Sequence, residues 1–387
     1  MSDRVDLPAG FAAHTGHAGL RGDGGDDVAV VVSRRPCASA ATFTQSLFAG
    51  PSVVISRRRA ESGRLRAVIV VAKNANVANG AQGMRDAEEV SSLAARGAGV
   101  APDEVAIAST GVIGRPYPMD LLRAHLATLG GASFDADARS VARAMMTTDT
   151  EAKTTVQHAG PARVVGMAKG VGMIEPNMAT MLALVLTDAE VEPPALSRMW
   201  RRAVDETFNC LSIDTDTSTS DTAVVLANGA AGPAPEGALS VALHEACLDL
   251  TLQLARDGEG ATKLLTVTVR SARDGDQARR VAKAVVNSPL VKTAVHGADP
   301  NWGRVAMAVG KCECDRDIDP DSVVIRFGDM EAYPARPGGA GLARLAEVMS
   351  SDHVEIEVHL GTGDAEATVY GCDLSAEYVR INADYTT

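Results

Sequence analysis

The stretch with the most chemical promise is Lys169-Gly170-Val171-Gly172-Met173-Ile174-Glu175-Pro176-Asn177-Met178-Ala179-Thr180-Met181-Leu182. A loop containing glycines ends in Ala179-Thr180 and runs at once into an apolar segment, residues 181–187. The spacing leaves two readings open. In one, the loop enters a buried strand and Thr180 is an ordinary β-branched strand residue. In the other, Thr180 Oγ attacks the Ala179 carbonyl, an ester forms, and the chain opens with Thr180 as a new N-terminus. The small Ala179 side chain leaves room for that attack. The freed α-amine, with an ordinary pKa of about 8, is then partly neutral and serves as base for its own hydroxyl. Such a nucleophile suits acyl transfer, which also needs hydrogen-bond donors for the developing oxyanion.

Other motifs fall short. Gly258-Glu259-Gly260-Ala261-Thr262-Lys263 places a lysine after glycines but lacks the Gly-Lys-Ser/Thr ending of a phosphate loop. Asp214-Thr215-Asp216-Thr217-Ser218-Thr219-Ser220-Asp221 starts like a calcium loop, yet has no glycine at the sixth position and Val225 at the twelfth. Cys312 and Cys314 form the one close cysteine pair, and no second pair completes a zinc spacing, so they read as structural. His14 and His17 read as solvated loop residues, and each histidine taken singly reads as structural. No metal or organic cofactor is required.

The chain as a whole resembles the ornithine acetyltransferases (glutamate N-acetyltransferases). The resemblance is carried by Lys169-Gly170-Val171-Gly172-Met173, Pro176 and Met178-Ala179-Thr180-Met181-Leu182. It extends through Ser109-Thr110-Gly111-Val112-Ile113-Gly114, Met146-Thr147-Thr148-Asp149-Thr150, Asp257-Gly258-Glu259-Gly260-Ala261-Thr262-Lys263 and His296-Gly297-Ala298-Asp299-Pro300-Asn301-Trp302-Gly303-Arg304. It ends with Tyr370-Gly371-Cys372-Asp373-Leu374 and residues 382–387. It implies an enzyme that moves an acetyl group from N-acetylornithine to glutamate. Thr180 is then the nucleophile, Ala179-Thr180 the scissile bond, and Thr110 and Gly111 the oxyanion donors, as the N–H groups of a strand-ending turn can be. Thr147, Lys169, Glu259, Asn382 and Thr387 match substrate-contacting positions.

Read alone, Lys169 and Glu259 are solvated loop charges, and Asn382 and Thr387 belong to a tail that the strand-like residues 377–381 could dock. The resemblance also implies a two-layer sheet sandwich flanked by helices. It implies residues 1–179 and 180–387 as two chains after self-cleavage, assembled as an α2β2 heterotetramer. Glu175 and the 214–221 segment depart from the usual family pattern toward the branch tied to clavulanic acid biosynthesis. Two rivals keep the nucleophile: a bifunctional enzyme also using acetyl-CoA, and an amidohydrolase or aminopeptidase. A third is an uncleaved binding protein for acetylated amino acids.

Elements must position these residues. Residues 28–33, 52–55 and 67–72 read as strands, the last apolar throughout and so buried on both faces. Helices are expected over 86–97, 119–129, 135–146, 194–208, 238–257 and 276–286, with Met119, Leu122, Leu126 and Leu129 on one stripe. Val354, Ile356, Val358 and Leu360 alternate with polar residues as a half-buried antiparallel strand. Loops are expected at 229–237 and 334–341. This interleaving, without a regular βαβ period, indicates an α/β (α+β) layered sandwich of mixed and antiparallel sheets flanked by helices.

Composition narrows the partners. With 46% hydrophobic and 22% charged residues the chain has ample material for a core. A net charge of −12 and 3% aromatic residues disfavour nucleic acid, since an acidic surface repels phosphates and little is available for base stacking. The apolar runs are too short for a membrane span, and the acidic first 27 residues lack the apolar core of a secretory signal. Scattered cysteines suit a reducing compartment. The expectation is a cytoplasmic enzyme of small amino-acid substrates.

Overall fold

The structure, a computed structural model, describes residues 4–175 and 181–384. The chain opens with β1 (Phe11–Gly16) and β2 (Val28–Ser33), antiparallel neighbours. β3 (Ala38–Phe43) leaves for another sheet, followed by α1 (Pro51–Ala60), β4 (Ala67–Val71), α2 (Gly80–Ala98), β5 (Val105–Ser109), α3 (Met119–Ala127) and α4 (Ala138–Met145). β2 and β4, expected as strands, are buried along their whole length. The 52–55 segment is not a strand. Pro51 starts a helix there, and Val53, Ile55, Ser56 and Arg59 are buried at helical spacing, which overrides the β-preference of Val-Val-Ile.

β6 (Lys153–Ala159), β7 (Ala162–Lys169) and β8 (Leu182–Glu190) run antiparallel in succession, and α5 (Pro193–Glu206) returns the chain to β9 (Thr222–Pro233), parallel to β8. The sheet order is β3-β9-β8-β7-β6, beside a smaller sheet ordered β1-β2-β4-β5. Alternation along β8 divides its side chains between two cores. Leu182, Leu184 and Leu186 face the smaller sheet and α4, while Ala183 and Val185 meet α5 and α6 (Glu236–Arg256). The far side of the smaller sheet packs on α2 and α3 through Val28, Ile69 and Ile107, with Leu122, Leu126 and Leu129 buried and Met119 at the margin. β9 runs on to Pro233 and α6 starts at Glu236, so the loop expected at 229–237 is confined to residues 234–235.

The third sheet belongs to the C-terminal region. β10 (Leu264–Ala272) is followed by α7 (Gly275–Val286), α8 (Pro289–His296), α9 (Trp302–Gly310), β11 (Val324–Phe327), β12 (Met330–Tyr333), α10 (Ala340–Met349), β13 (His353–His359), β14 (Ala365–Cys372) and α11 (Ala376–Asp384). Its order is β12-β11-β13-β10-β14. β13 is half-buried as expected, but it is antiparallel only to β11 and parallel to β10. Residues 377–381 form part of helix α11 rather than a strand. The layered α/β (α+β) architecture of mixed sheets flanked by helices is the one expected.

Among the described residues, no helix is long and apolar enough to cross a membrane, and no group of three His, Cys, Asp or Glu could hold a metal ion. His14 lies on β1 rather than in a loop, its Nδ1 2.9 Å from the Ser133 carbonyl and its ring beside His125 and Phe134.

Candidate active site

An open cleft forms where β5, β7, β8 and β9 meet the loops following α4 and α6. Its walls include Thr110, Gly111, Thr147, Thr148, Lys169, Gly170, Gly172, Met181, Asp221, Glu259 and Asn382. Six of the nine residues singled out from sequence therefore converge: Thr110, Gly111, Thr147, Lys169, Glu259 and Asn382. Ala179, Thr180 and Thr387 lie outside the described residues. Met181, immediately after Thr180, lines the cleft.

Lys169, at the end of β7, is buried rather than a solvated loop charge. Its Nζ donates to Thr110 Oγ1 at 2.9 Å and to Thr147 Oγ1 at 3.0 Å. Burial lowers its pKa, and Asp149 opposes that shift. Thr110 uses its backbone N–H on the Val71 carbonyl at 3.1 Å, so what it turns toward Lys169 is its hydroxyl rather than a turn N–H. A hydroxyl oxygen that accepts from an ammonium keeps its own hydrogen to give, and polarisation by the charge strengthens that donor. Gly111 adopts φ +127°, and a Cβ there would lie 2.3 Å from the Lys73 carbonyl carbon and 2.6 Å from Asn74 N. Only glycine fits.

Asp149, missed as a site residue, organises this wall. Its carboxylate accepts from Gly170 N at 2.6 Å, Thr147 N at 3.0 Å and Lys153 Nζ at 2.9 Å. Burial raises the Asp149 pKa, but Lys169, Lys153 and the two backbone donors outweigh it, leaving the carboxyl at about 2. Lys153 continues to Asp257 at 2.5 Å, two residues before Glu259. The sequence signal was the Thr147-Thr148-Asp149-Thr150 run with Lys153 four residues on, which spacing alone cannot tell from a surface turn.

Glu259 is fixed on the opposite side. Thr148 Oγ1 donates to its Oε1 at 3.0 Å and Asn382 Nδ2 to its Oε2 at 2.9 Å. A Cβ on Gly172 would meet Glu259 Oε2 at 2.5 Å, which accounts for the second glycine of Lys169-Gly170-Val171-Gly172. α11 carries Asn382 into place, moored by Ser375 Oγ on the Gly260 carbonyl (2.5 Å) and Tyr378 OH on Asp214 (3.4 Å). Asp214, from the segment that starts like a calcium loop, accepts the N–H groups of Met173 and Ile174 at 2.6 and 2.7 Å. The cleft thus holds a buried ammonium, two hydroxyls polarised by it, and a carboxylate able to meet a substrate ammonium. Those are the groups an acyl transfer between amino acids calls for.

Comparison with known proteins agrees. Residues 12–387 match the ArgJ family. The chain is 55% identical over 380 residues to arginine biosynthesis bifunctional protein ArgJ 2 of Nostoc sp., with 98% of each chain covered. It is 53% identical over 393 residues to glutamate N-acetyltransferase Oat2 of Streptomyces clavuligerus, with 100% of each covered. A crystal structure of arginine biosynthesis bifunctional protein ArgJ from Bacillus halodurans is 40% identical, covering 51% of this chain and 96% of that one, with a TM-score of 0.48.

Proposed function

This chain belongs to the ArgJ family, and from that premise we propose that it carries an acetyl group from N-acetylornithine to glutamate through an acetyl-Thr180 intermediate. The observation that carries this reading is the convergence of Thr110, Gly111, Thr147, Lys169, Glu259 and Asn382 on one cleft that Met181 also lines. These residues come from widely separated parts of the chain.

The first step is self-cleavage at Ala179-Thr180, which divides the chain into residues 1–179 and 180–387. The Thr180 α-amine then takes the Oγ proton as Oγ attacks the acetyl carbonyl. The Thr110 hydroxyl, held by Lys169, and Gly111 N–H receive the oxyanion. Removing one such donor costs about 10²–10³-fold in kcat. The tetrahedral adduct collapses, the C–N bond breaks, and the leaving amine of ornithine recovers the proton. Glutamate enters, and its amine takes the acetyl group by the reverse sequence. Glu259, with Asn382 and Thr148 holding it, receives the substrate ammonium. Thr147 and Thr387 complete the substrate contacts.

No cofactor enters these steps. The cleaved pieces assemble as an α2β2 heterotetramer in the cytoplasm. Arginine biosynthesis is the setting, and the departures at Glu175 and residues 214–221, together with the likeness to Oat2, favour a clavulanic acid context. Denaturing electrophoresis and N-terminal sequencing test the reading: active protein should give two bands, the second beginning at Thr180, and Thr180→Ala should give one inactive band. A single intact band in active protein would sink it. Offering acetyl-CoA as donor tests the second activity that the relatives' name, bifunctional, suggests. Release of free acetate in place of transfer would mark a hydrolase instead.

A further inference from the structure

Three of the runs that carry the family resemblance meet behind the cleft, at one carboxylate. Asp373, from Tyr370-Gly371-Cys372-Asp373-Leu374, follows β14, is 2% exposed and lies outside the cleft lining. Its Oδ1 accepts the N–H groups of Thr262 and Lys263 at 2.7 and 2.9 Å. Its Oδ2 accepts from Thr262 Oγ1 at 2.6 Å and lies 2.7 Å from His296 Nδ1. An ionised carboxylate only accepts, so that imidazole carries a hydrogen on Nδ1. Burial raises the Asp373 pKa, but the Thr262 hydroxyl and N–H, His296 and the Lys263 N–H outweigh it and hold the carboxyl below its ordinary range.

The other two runs supply the donors. Thr262 and Lys263 close the 257–263 segment that carries Glu259. His296 ends α8 and opens the run to Arg304, no residue of which lines the cleft. Arg304 Nη1 donates to the Leu290 carbonyl at 2.7 Å and to Thr293 Oγ1 at 3.2 Å, bracing the helix that presents His296. The nearby lysines are engaged elsewhere: Lys263 Nζ on the Val295 and Met349 carbonyls at 2.9 and 2.6 Å, and Lys292 Nζ on the Cys372 carbonyl. The imidazole turns no lone pair toward the Thr262 hydroxyl, so the cluster is not a Thr-His-Asp nucleophile.

We propose that Asp373, held by His296, is a positioning residue that sets Glu259 for the substrate ammonium. The inference rests on Glu259 receiving that ammonium. Glu259 stands three residues before Thr262, and the turn between them is confined. The Ala261 N–H closes it on the Gly258 carbonyl at 2.8 Å. Gly260 adopts φ +69°, and a Cβ there would lie 2.4 Å from Tyr378 N. A Cβ on Gly258 would lie 2.8 Å from Cys372 Sγ. The turn therefore rests directly on the 372–378 segment, and it has no room to shift without moving Glu259. Asp373 fixes its far end through Thr262, as Thr148 and Asn382 fix the carboxylate itself. Asp373 exchanges no proton in the reaction and acts only through Glu259.

The test is a double-mutant cycle on the full-length protein, Asp373→Ala against Glu259→Gln, read as KM and kcat for N-acetylornithine. Asp373→Ala should raise KM about tenfold and leave kcat within about threefold, since nothing at the reacting carbonyl changes. In the Glu259→Gln background the same substitution should move KM by less than about twofold, because no carboxylate is left to position. An unchanged KM overturns the proposal, and so does an equal rise in both backgrounds, which a general loosening of the fold would give. Should Asp373→Ala fail to fold, Thr262→Val at an exposed position takes its place. It should raise KM about threefold to tenfold, and Thr262→Ser, which keeps the hydroxyl, should not; equal KM values for the two overturn the proposal. If Glu259→Gln alone leaves KM unchanged, the reading of Glu259 falls and the role of Asp373 with it. A raised KM in Glu259→Gln beside an unmoved one in Asp373→Ala removes only the role of Asp373.

Discussion

At the scale of single residues, the cleft depends on a buried carboxylate set behind its lining. Asp149 holds the backbone of Thr147 and Gly170 and offsets the charges of Lys153 and Lys169. Its pKa, at about 2, lies below the ordinary aspartate value. The stability it contributes is therefore present above about pH 4 and is lost as pH falls toward about 2, because the unfolded state takes up the proton first. Urea unfolding of wild type and Asp149→Asn should show a stability gap that is constant above about pH 5 and narrows as pH falls through this window. A gap independent of pH would place the effect in packing rather than charge.

At the scale of elements, α11 shows how a segment can serve the site without serving the core. None of its residues is buried, and its moorings are polar: Ser375 to Gly260, Tyr378 to Asp214 and Asn382 to Glu259. Ending the chain at Ser375 should leave the thermal midpoint within about 3 °C. It should also raise KM for N-acetylornithine about tenfold, since Glu259 loses the donor that orients it. Unchanged kinetics would mean that α11 is not part of the site. Residues 377–381 read as a strand in the sequence because Tyr378, Val379 and Ile381 favour strands, and no apolar stripe marks an unburied helix. The same preference hid α1, where Pro51 was the better guide. β2 and β4 were legible because a strand buried on both faces is apolar throughout. The alternation in β13 was equally plain, but it reports which face is buried, not which neighbours pair or in which direction. Family motifs pointed to six residues that the structure brings to one cleft. Asp149 stood within a quoted run, yet its role comes from packing between segments distant in sequence.

At the scale of the whole molecule, the two sides of the Ala179-Thr180 bond cannot be separate domains. One sheet takes β3, β6 and β7 from the first part and β8 and β9 from the second, and one core joins Val165 and Met167 to Leu182, Leu184 and Val224. After cleavage the pieces should therefore co-purify under native conditions and part only on denaturation, as size-exclusion chromatography followed by denaturing electrophoresis would show. Such shared burial also explains how one cleft draws Lys169 from before that bond and Glu259 from after it. The most direct measurement is denaturing intact mass of the protein mixed with N-acetylornithine in the absence of glutamate. The account predicts a chain of residues 180–387 heavier by one acetyl group, located on Thr180 and lost when glutamate is added. Turnover with no acetylated chain, or acetyl on any other residue, would contradict it.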